Sequence, residues 1–158
     1  LAGAMAFSPA ARTAMVRWFV ERPGNDIDYV YSGEQSTEPL PQYEITALPE
    51  GFVETIRDIT PSFVDVIYEN ESGDIICLSY IFMHQGALTS FDTSDADAFD
   101  VTVSQLPGTF FKARTPGNMS TLRWIDPDLN LHFTVDGCFE MDDLLHIAES
   151  ISLCKTPK

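Results

Sequence analysis

The sequence predicts an α+β fold: an antiparallel β-sheet of about seven to nine strands, with an N-terminal helix and a C-terminal helix packed on one face. Short runs rich in β-branched and aromatic residues recur between turn clusters of Gly, Pro and Asn. Apolar residues at helical spacing are confined to the two ends of the chain. The length of 158 residues suits one domain, and a hydrophobic fraction of 44% is enough for a substantial core.

The N-terminal helix is predicted over residues 8–21. Ser8 is a suitable N-cap, and Pro9 suits the first helical position. Apolar residues follow at helical spacing as far as Trp18, until a Pro-Gly-Asn sequence breaks the pattern. Residues 1–7, LAGAMAF, are uniformly apolar, which indicates either a short lead-in to this helix or the end of a membrane-spanning helix.

The middle of the chain is predicted to form a series of short strands. The clearest pair is a hairpin of residues 63–69 and 75–83 around a turn at 70–74, where Gly73 is able to adopt positive φ. The second strand of this hairpin is apolar on both faces, which predicts a central position in the sheet. The other strands are predicted at 27–31, 43–48, 52–58, 101–106 and 110–114, with Pro107-Gly108 joining the last two.

The C-terminal part is the best-formed local unit: a strand, a turn, a return strand over 129–135 and an amphipathic helix. Leu122 and Trp124 share one face of the first strand, and Leu131 and Phe133 share one face of the return strand. An apolar stripe on the helix is then expected to cover these side chains. The residues predicted to form the core are Trp18, Tyr68, Leu122, Trp124, Leu131, Phe133, Leu144, Leu145, Ile147 and Ile151, the last four on this helix.

The charge balance excludes one class of partner. Acidic residues number 24 and basic residues 9, which gives a formal net charge of −15. A polyanion is repelled by such a chain, so nucleic acid is excluded as a partner and an anionic lipid surface is disfavoured. The simplest effect of the charge is solubility.

An acidic stretch over residues 91–100 is the weak candidate for a metal site. The carboxylates of Asp92, Asp95, Asp97 and Asp100 are the oxygen ligands that Ca²⁺ prefers. The stretch lacks the DxDxDG register, the mid-loop glycine and the closing glutamate of a calcium loop. A solvated acidic loop is therefore the favoured interpretation.

No other pattern predicts a cofactor or a catalytic site. His84, His132 and His146 show neither HxxxH nor HxH spacing, and no GxSxG, GxGxxG or P-loop sequence occurs. The three cysteines form no metal-ligand spacing. We therefore expect no catalytic residues, no cofactor and no metal, and we predict that the protein is not an enzyme.

Several stretches resemble one family of bacterial domains. The stretch 43–52 is similar to its Y-x-x-x-x-L-P-E-G-F/Y opening, and the stretch 67–73 with the apolar strand after it resembles its first hairpin. Leu122-x-Trp124, followed later by LLHIAESI over 144–151, looks like its ending. On these motifs, most of the chain is identified as a member of the bacterial family catalogued as domain of unknown function 4367.

The resemblance implies a domain on the extracytoplasmic side of the cell membrane, mainly in Gram-positive bacteria, in proteins likened to anti-sigma factors. It implies that residues 1–24 are the end of a membrane anchor and a juxtamembrane helix, and that residues 25–158 are a single α+β domain. Membrane attachment would run through a segment upstream of Leu1. The family brings no established activity and no catalytic residues, so none is carried over.

The predicted function is a non-enzymatic extracytoplasmic sensory or interaction domain of a single-pass membrane protein, with an unknown extracytoplasmic protein or ligand as partner. The alternative is a module that binds an apolar or lipid-like ligand between the sheet and the helices, which the many Phe and Tyr residues motivate. A third hypothesis is a hydrolase that works through Asp95 and Asp97.

Overall fold

The computed structural model describes residues 18–21, 26–31, 38–83 and 88–156, with side chains over 38–83 and 91–156. Its strands form three antiparallel sheets, of seven, three and two strands. The helix α1 (Met141–Glu149) precedes the last strand. In chain order the strands are β1 (Trp18–Glu21), β2 (Asp26–Tyr31), β3 (Tyr43–Ile45), β4 (Val53–Ile59), β5 (Phe63–Glu69), β6 (Ile75–Phe82), β7 (Leu88–Asp92), β8 (Ala96–Val103), β9 (Leu106–Ala113), β10 (Ser120–Asp126), β11 (Leu131–Gly137) and β12 (Ile151–Leu153).

The seven-stranded sheet, here called the main sheet, has the strand order β4-β5-β6-β11-β10-β9-β8. Alternation along β5 gives it two different faces, because Val64, Val66 and Tyr68 are buried on one side while Asp65 and Ile67 lie on the other. We call these the core face and the second face. β6 lies between β5 and β11, which confirms the central position predicted for this strand.

The core lies on the core face of the main sheet. The predicted core residues that are buried there are Tyr68, Leu122, Trp124, Leu131, Phe133, Leu144 and Ile147. Leu145 and Ile151 are partly buried and pack against this cluster. Trp18 lies in β1, and its side chain is outside the described part of the chain.

Two elements cover the core face. Leu144, Ile147 and Ala148 of α1 are buried over one part of it. The two-stranded sheet of β3 and β12, here called the ribbon, covers another part, where the ring of Tyr43 contacts the ring of Phe133 edge-on with centroids 5.4 Å apart. The structure thus confirms an antiparallel sheet with a C-terminal helix on one face.

Side chains of the main sheet hold one edge of the ribbon. The backbone N–H of Tyr43 donates to the hydroxyl of Tyr80 at 3.0 Å, and that of Ile45 donates to the hydroxyl of Tyr68 at 3.1 Å. The guanidinium of Arg57 donates to the carbonyl of Tyr43 at 3.1 Å. On this edge of the ribbon there is no third strand to accept hydrogen bonds from the backbone. The tyrosine hydroxyls accept them instead, so the buried N–H groups of β3 are satisfied.

We expect Tyr80→Phe to lower the free energy of unfolding by about 1–3 kcal/mol, because the substitution leaves the buried N–H of Tyr43 without its acceptor. Urea unfolding of the two proteins measures the difference. Tyr80→Leu is the companion variant, and it should cost more because it also removes ring contacts with Tyr43 and Phe133. Equal stability of Tyr80→Phe and the original protein would mean that another acceptor serves this N–H.

The N-terminal helix predicted over residues 8–21 is wrong over its last turn. Trp18–Glu21 forms β1, which pairs antiparallel with β2 along its whole length. The sequence WFVE consists largely of aromatic and β-branched residues, so a strand partner overrides the helical spacing. Residues 8–17 lie outside the described residues. The β1–β2 pairing crosses the boundary drawn after residue 24, and the division into 1–24 and 25–158 stays a prediction.

The C-terminal helix is shorter than predicted, because it ends at Glu149 and Ile151 lies in β12. The hydroxyl of Ser150 donates to the carbonyl of Ile147 at 2.7 Å and so satisfies part of the last turn. Ile151 then pairs with Ile45 in the ribbon, where strand pairing replaces further helix. Within the described ranges, no helix combines the length and the hydropathy needed to span a membrane.

The hairpin of β8 and β9 turns at Ser104 and Gln105, so the turn predicted at Pro107-Gly108 is wrong. Both turn residues have positive φ, 46° and 72°, as a type I′ hairpin turn requires. Gly108 lies inside β9, where an added Cβ atom would come within 2.9 Å of the carbonyl oxygen of Arg123. The glycine is therefore explained by the close approach of β9 to β10.

The return strand β11 starts at Leu131, later than the predicted residue 129, because the turn that precedes it is longer than expected. The carboxylate of Asp126 accepts hydrogen bonds from the N–H groups of Asp128 and Leu129, at 3.0 and 3.1 Å. Asn130 follows with a φ of 56°. Leu129 therefore belongs to the turn and is exposed, and the return strand begins at Leu131.

Candidate functional site

A continuous row of polar side chains crosses the second face of the main sheet. Each strand contributes one residue, and the residues are successive cross-strand partners. Polar groups lie on this face because the apolar residues of each alternating strand point to the core face. From β4 to β8 this polar row consists of Asp58, Asp65, Ser79, Thr134, Arg123, Thr109 and Asp100.

Beside the polar row lie a thiol, a carboxyl and a hydroxyl on neighbouring strands. Asp136 of β11 is the cross-strand partner of both Cys77 and Thr121. The hydroxyl of Thr121 donates to Asp136 Oδ1 at 2.5 Å. Burial raises the pKa of Asp136, although the Thr121 hydrogen bond and the charge of Arg123 act in the opposite direction. Burial also raises the pKa of the Cys77 thiol, and the charge of Asp136 adds to this shift.

His132 lies on the same face and is 2% exposed. Burial lowers its pKa to about 3, with a further contribution from the positive charge of Arg123. The imidazole is therefore neutral at physiological pH.

β7 covers the part of the second face around Arg123. The ring of Phe91 lies over the guanidinium of Arg123, 4.8 Å from ring centroid to Cζ, and packs against the ring of Phe111 with centroids 4.2 Å apart and planes tilted by 31°. Together with Ala96 and Ile125, Phe111 and Phe91 form a second, smaller apolar cluster. Arg123 is thus half-buried beneath an aromatic ring.

The arrangement offers little reactive chemistry. A nucleophilic cysteine needs a lowered pKa, whereas that of Cys77 is raised. A general base needs a pKa near the ambient pH, whereas that of His132 is far below it. A raised pKa suits a general acid, but the carboxyl group of Asp136 is buried and accepts a hydrogen bond from Thr121, and its cross-strand partner Cys77 has a thiol whose pKa is also raised. The chemistry of these groups therefore fits burial in a sheet better than proton or acyl transfer.

The four candidate metal ligands do not converge, and the stretch over 91–100 is not a loop. Asp92 ends β7, and its carboxylate accepts hydrogen bonds from the N–H and the hydroxyl of Ser94, at 2.8 and 3.0 Å. Asp100 belongs to the polar row, on an edge strand of the main sheet. The predicted acidic loop is therefore wrong, because most of these residues pair in β7 and β8.

The other two aspartates stabilise the turn region around β8 and β9. Asp95 accepts hydrogen bonds from the hydroxyl of Thr115 and the side-chain amide of Asn118, both at 3.1 Å. Asp97 forms an exposed ion pair with Arg114 at 2.8 Å. In the part of the chain with described side chains, no three His, Cys, Asp or Glu residues are placed to hold a metal ion together.

Sequence reasoning missed the group around Asp136. The signal was the alternation in β11, because His132, Thr134 and Asp136 all lie opposite the core residues of that strand. Their neighbour Cys77 was not predictable, since its closeness depends on β6 lying next to β11.

One protein-family model matches most of the chain. The model described as Domain of unknown function (DUF4367) matches residues 42–151. The chain belongs to this family. The DUF4367 match includes the main sheet, β7, α1 and β3, whereas β1 and β2 precede it. No match was found among curated proteins, and none among solved structures.

One of the two strands before the DUF4367 region nevertheless pairs with it. β2 pairs antiparallel with β7 from Asp26, opposite Asp92, to Val30, opposite Leu88. The segment that precedes the family region is thus joined to it by strand pairing as well as by the covalent chain.

Proposed function

We propose that this chain is a non-enzymatic extracytoplasmic sensory or interaction domain of a single-pass membrane protein, of the kind found in anti-sigma-factor-like regulators. The observation that carries the non-enzymatic part is the state of the ionisable groups on the second face. The pKa of Cys77 and that of Asp136 are raised and that of His132 is lowered, all chiefly by burial. Burial thus moves the pKa of the Cys77 thiol and of the His132 imidazole away from the values that a nucleophile or a general base needs near neutral pH.

The location rests on two features. The family resemblance implies a domain outside the membrane, and the apolar stretch LAGAMAF over residues 1–7 suits the end of a membrane helix. The net charge of −15 suits a domain held near a membrane surface without adhering to anionic lipid. The partner is then an extracytoplasmic protein or ligand, and nucleic acid is excluded by charge.

Membrane fractionation and protease accessibility test this proposal in cells that express the full-length protein with a C-terminal tag. We expect the tag to sediment with membranes and to be removed by protease added to intact protoplasts. A cytoplasmic protein with a known antigen serves as the control for leakage. A tag that stays soluble, or that is digested only after lysis, contradicts the location.

A separate measurement tests the non-enzymatic part. Asp136→Asn removes the acid while keeping the size of the side chain, and Asp136 is a buried carboxyl group whose pKa is shifted in the direction that suits a general acid. Any turnover that purified protein shows should persist in this variant. An activity that disappears in Asp136→Asn while the fold stays intact would show that the domain is an enzyme.

The alternative, an apolar or lipid-like ligand between the sheet and the helix, has no specific observation in its favour. On the core face the cross-strand partners Trp124 and Phe133 stack with centroids 5.2 Å apart, and Leu144 and Ile147 of α1 are almost fully buried over this face. Extraction of bound lipid from the purified protein, followed by mass spectrometry, would revive this alternative if a stoichiometric lipid were found.

A further inference from the structure

The edge strand β4 exposes large apolar side chains. Val53 is 61% exposed, Ile56 is 54% exposed and Ile59 is 43% exposed. Val53 and Ile56 belong to the second face, where Ile67 is the cross-strand partner of Ile56. Exposed aliphatic side chains that lie side by side on one strand mark a contact surface more often than chance exposure of single residues does.

Acidic side chains flank this apolar strip on the same face. Val53 pairs with Glu69 at one end, and Asp58 pairs with Asp65 at the other. Two like charges directly opposite each other on neighbouring strands repel. Among the residues that the structure describes, neither Asp58 nor Asp65 has an ion pair that would relieve the repulsion.

We propose that the second face of β4 and β5, from Val53 to the Asp58–Asp65 pair, binds a segment of another protein that carries aliphatic side chains next to Lys or Arg. The aliphatic side chains cover Ile56 and Ile67, and the cation lies between the two aspartates. The inference rests on the proposed role as an interaction domain and specifies the chemistry of the partner. We call this surface the β4 patch.

The same features disfavour two other modes of contact. A second copy of this chain would bring another acidic patch against the first, in a protein with 24 acidic and 9 basic residues. Addition of a strand to the edge of β4 is opposed by the register shift between Glu54 and Ile56, because bulges on edge strands interrupt the backbone ladder. Contact through side chains of the second face avoids both problems.

The first test uses the free protein. Asp58→Asn is expected to raise the melting temperature by about 1–3 °C, because it removes the repulsion with Asp65. Asp100→Asn is the matched control, since Asp100 occupies the opposite end of the polar row and faces Thr109 instead of an acid. The control should leave the melting temperature unchanged. A lower melting temperature in Asp58→Asn would show that the pair is stabilised and would overturn the charge argument.

The second test uses two labelled peptides as probes, Gly-Leu-Lys-Lys-Leu-Gly and its charge-reversed counterpart Gly-Leu-Glu-Glu-Leu-Gly. In amide NMR titrations of the full chain, we expect the lysine peptide to bind with a Kd on the order of 1 mM and to shift signals of β4 and β5. Binding should weaken severalfold as salt is raised from about 50 to about 300 mM. The glutamate peptide should not bind.

Variants on the two edge strands separate the β4 patch from general acidity. Ile56→Asn should weaken the lysine peptide about fivefold or more, whereas Phe99→Asn on β8 should not change its affinity. Equal effects of the two variants, or equal binding of the two peptides, would overturn the proposal. So would sedimentation showing a dimer that Ile56→Asn dissociates, because the occupant would then be a second copy. These measurements are independent of cellular location, so either proposal can fail alone.

Discussion

Replacing Trp124 with alanine is expected to lower the free energy of unfolding by about 3–5 kcal/mol, the largest effect of any single substitution considered for this domain. Trp124 is 6% exposed, and its ring stacks on that of Phe133 with an interplanar angle of 7°. The ring of Phe133 in turn contacts Tyr43 of the ribbon. The cavity left by the indole would therefore disturb the sheet and one of the elements that cover it.

Urea unfolding followed by circular dichroism measures this loss. Leu129→Ala is the control, because Leu129 belongs to the turn that follows the same strand and is 42% exposed. It should change stability by well under about 1 kcal/mol. If Trp124→Ala unfolded at the same urea concentration as the original protein, the core would not be centred on this residue.

The central strands and the core were predictable because their signal is local. Alternation of apolar and polar residues over a strand needs no knowledge of its partners, and Val64, Val66 and Tyr68 show it in β5. The same holds for Leu122 and Trp124 in β10. Such residues identify both the strand and the face that is buried, which is why the C-terminal unit was recognised as a strand, a return strand and a helix.

Elements whose state depends on a partner were not predictable. Trp18–Glu21 is so short that its residues also fit helical spacing. Its pairing with β2 is what makes it a strand. Ile151 continues the apolar stripe of the helix, yet its pairing with Ile45 decides its conformation. Gly108 looks like a turn residue until the approach of Arg123 is known. In each case a tertiary contact outweighs a local preference.

The candidate site was hidden for a similar reason. Cys77 and Asp136 are far apart in the sequence, and they become neighbours because β6 and β11 pair directly in the main sheet. The acidic stretch over residues 91–100, in contrast, is evident in the sequence, but its aspartates do not converge on one site. Asp95 and Asp97 are close in the sequence, but they bind different side chains around β8 and β9. Sequence proximity of like residues is thus a poorer guide than strand order.

Acidification is expected to destabilise the domain through His132, by about 2 kcal/mol between neutral pH and pH 5. The pKa of His132 is lowered from 6.5 to about 3 in the folded state. Between these values the unfolded chain binds a proton that the folded protein does not, so stability falls as the pH falls. The contribution of neutral His132 to the free energy of unfolding is complete above about pH 6.5, and it is lost progressively as the pH falls toward 3.

Asp136 acts with the opposite sign, because burial raises its pKa from 3.8. The folded state keeps a proton that the unfolded chain has released, so this group adds stability at low pH that is lost as the pH rises. The two effects overlap in the acid range and partly cancel. The net slope for the original protein is therefore shallower than the slope that His132 alone would give.

The difference between two proteins isolates the histidine. His132→Gln cannot titrate, so its stability relative to the original protein should improve steadily as the pH is lowered from about 7 to about 5 in urea unfolding. His146→Gln is the matched control, because it makes the same substitution at an exposed position on α1, and its stability should stay close to that of the original protein. If the stability curves of His132→Gln and the original protein ran parallel across this range, His132 would not be held neutral by burial. The second face would then admit water and charge, and the case for a sheet of inert, packed polar groups would fail.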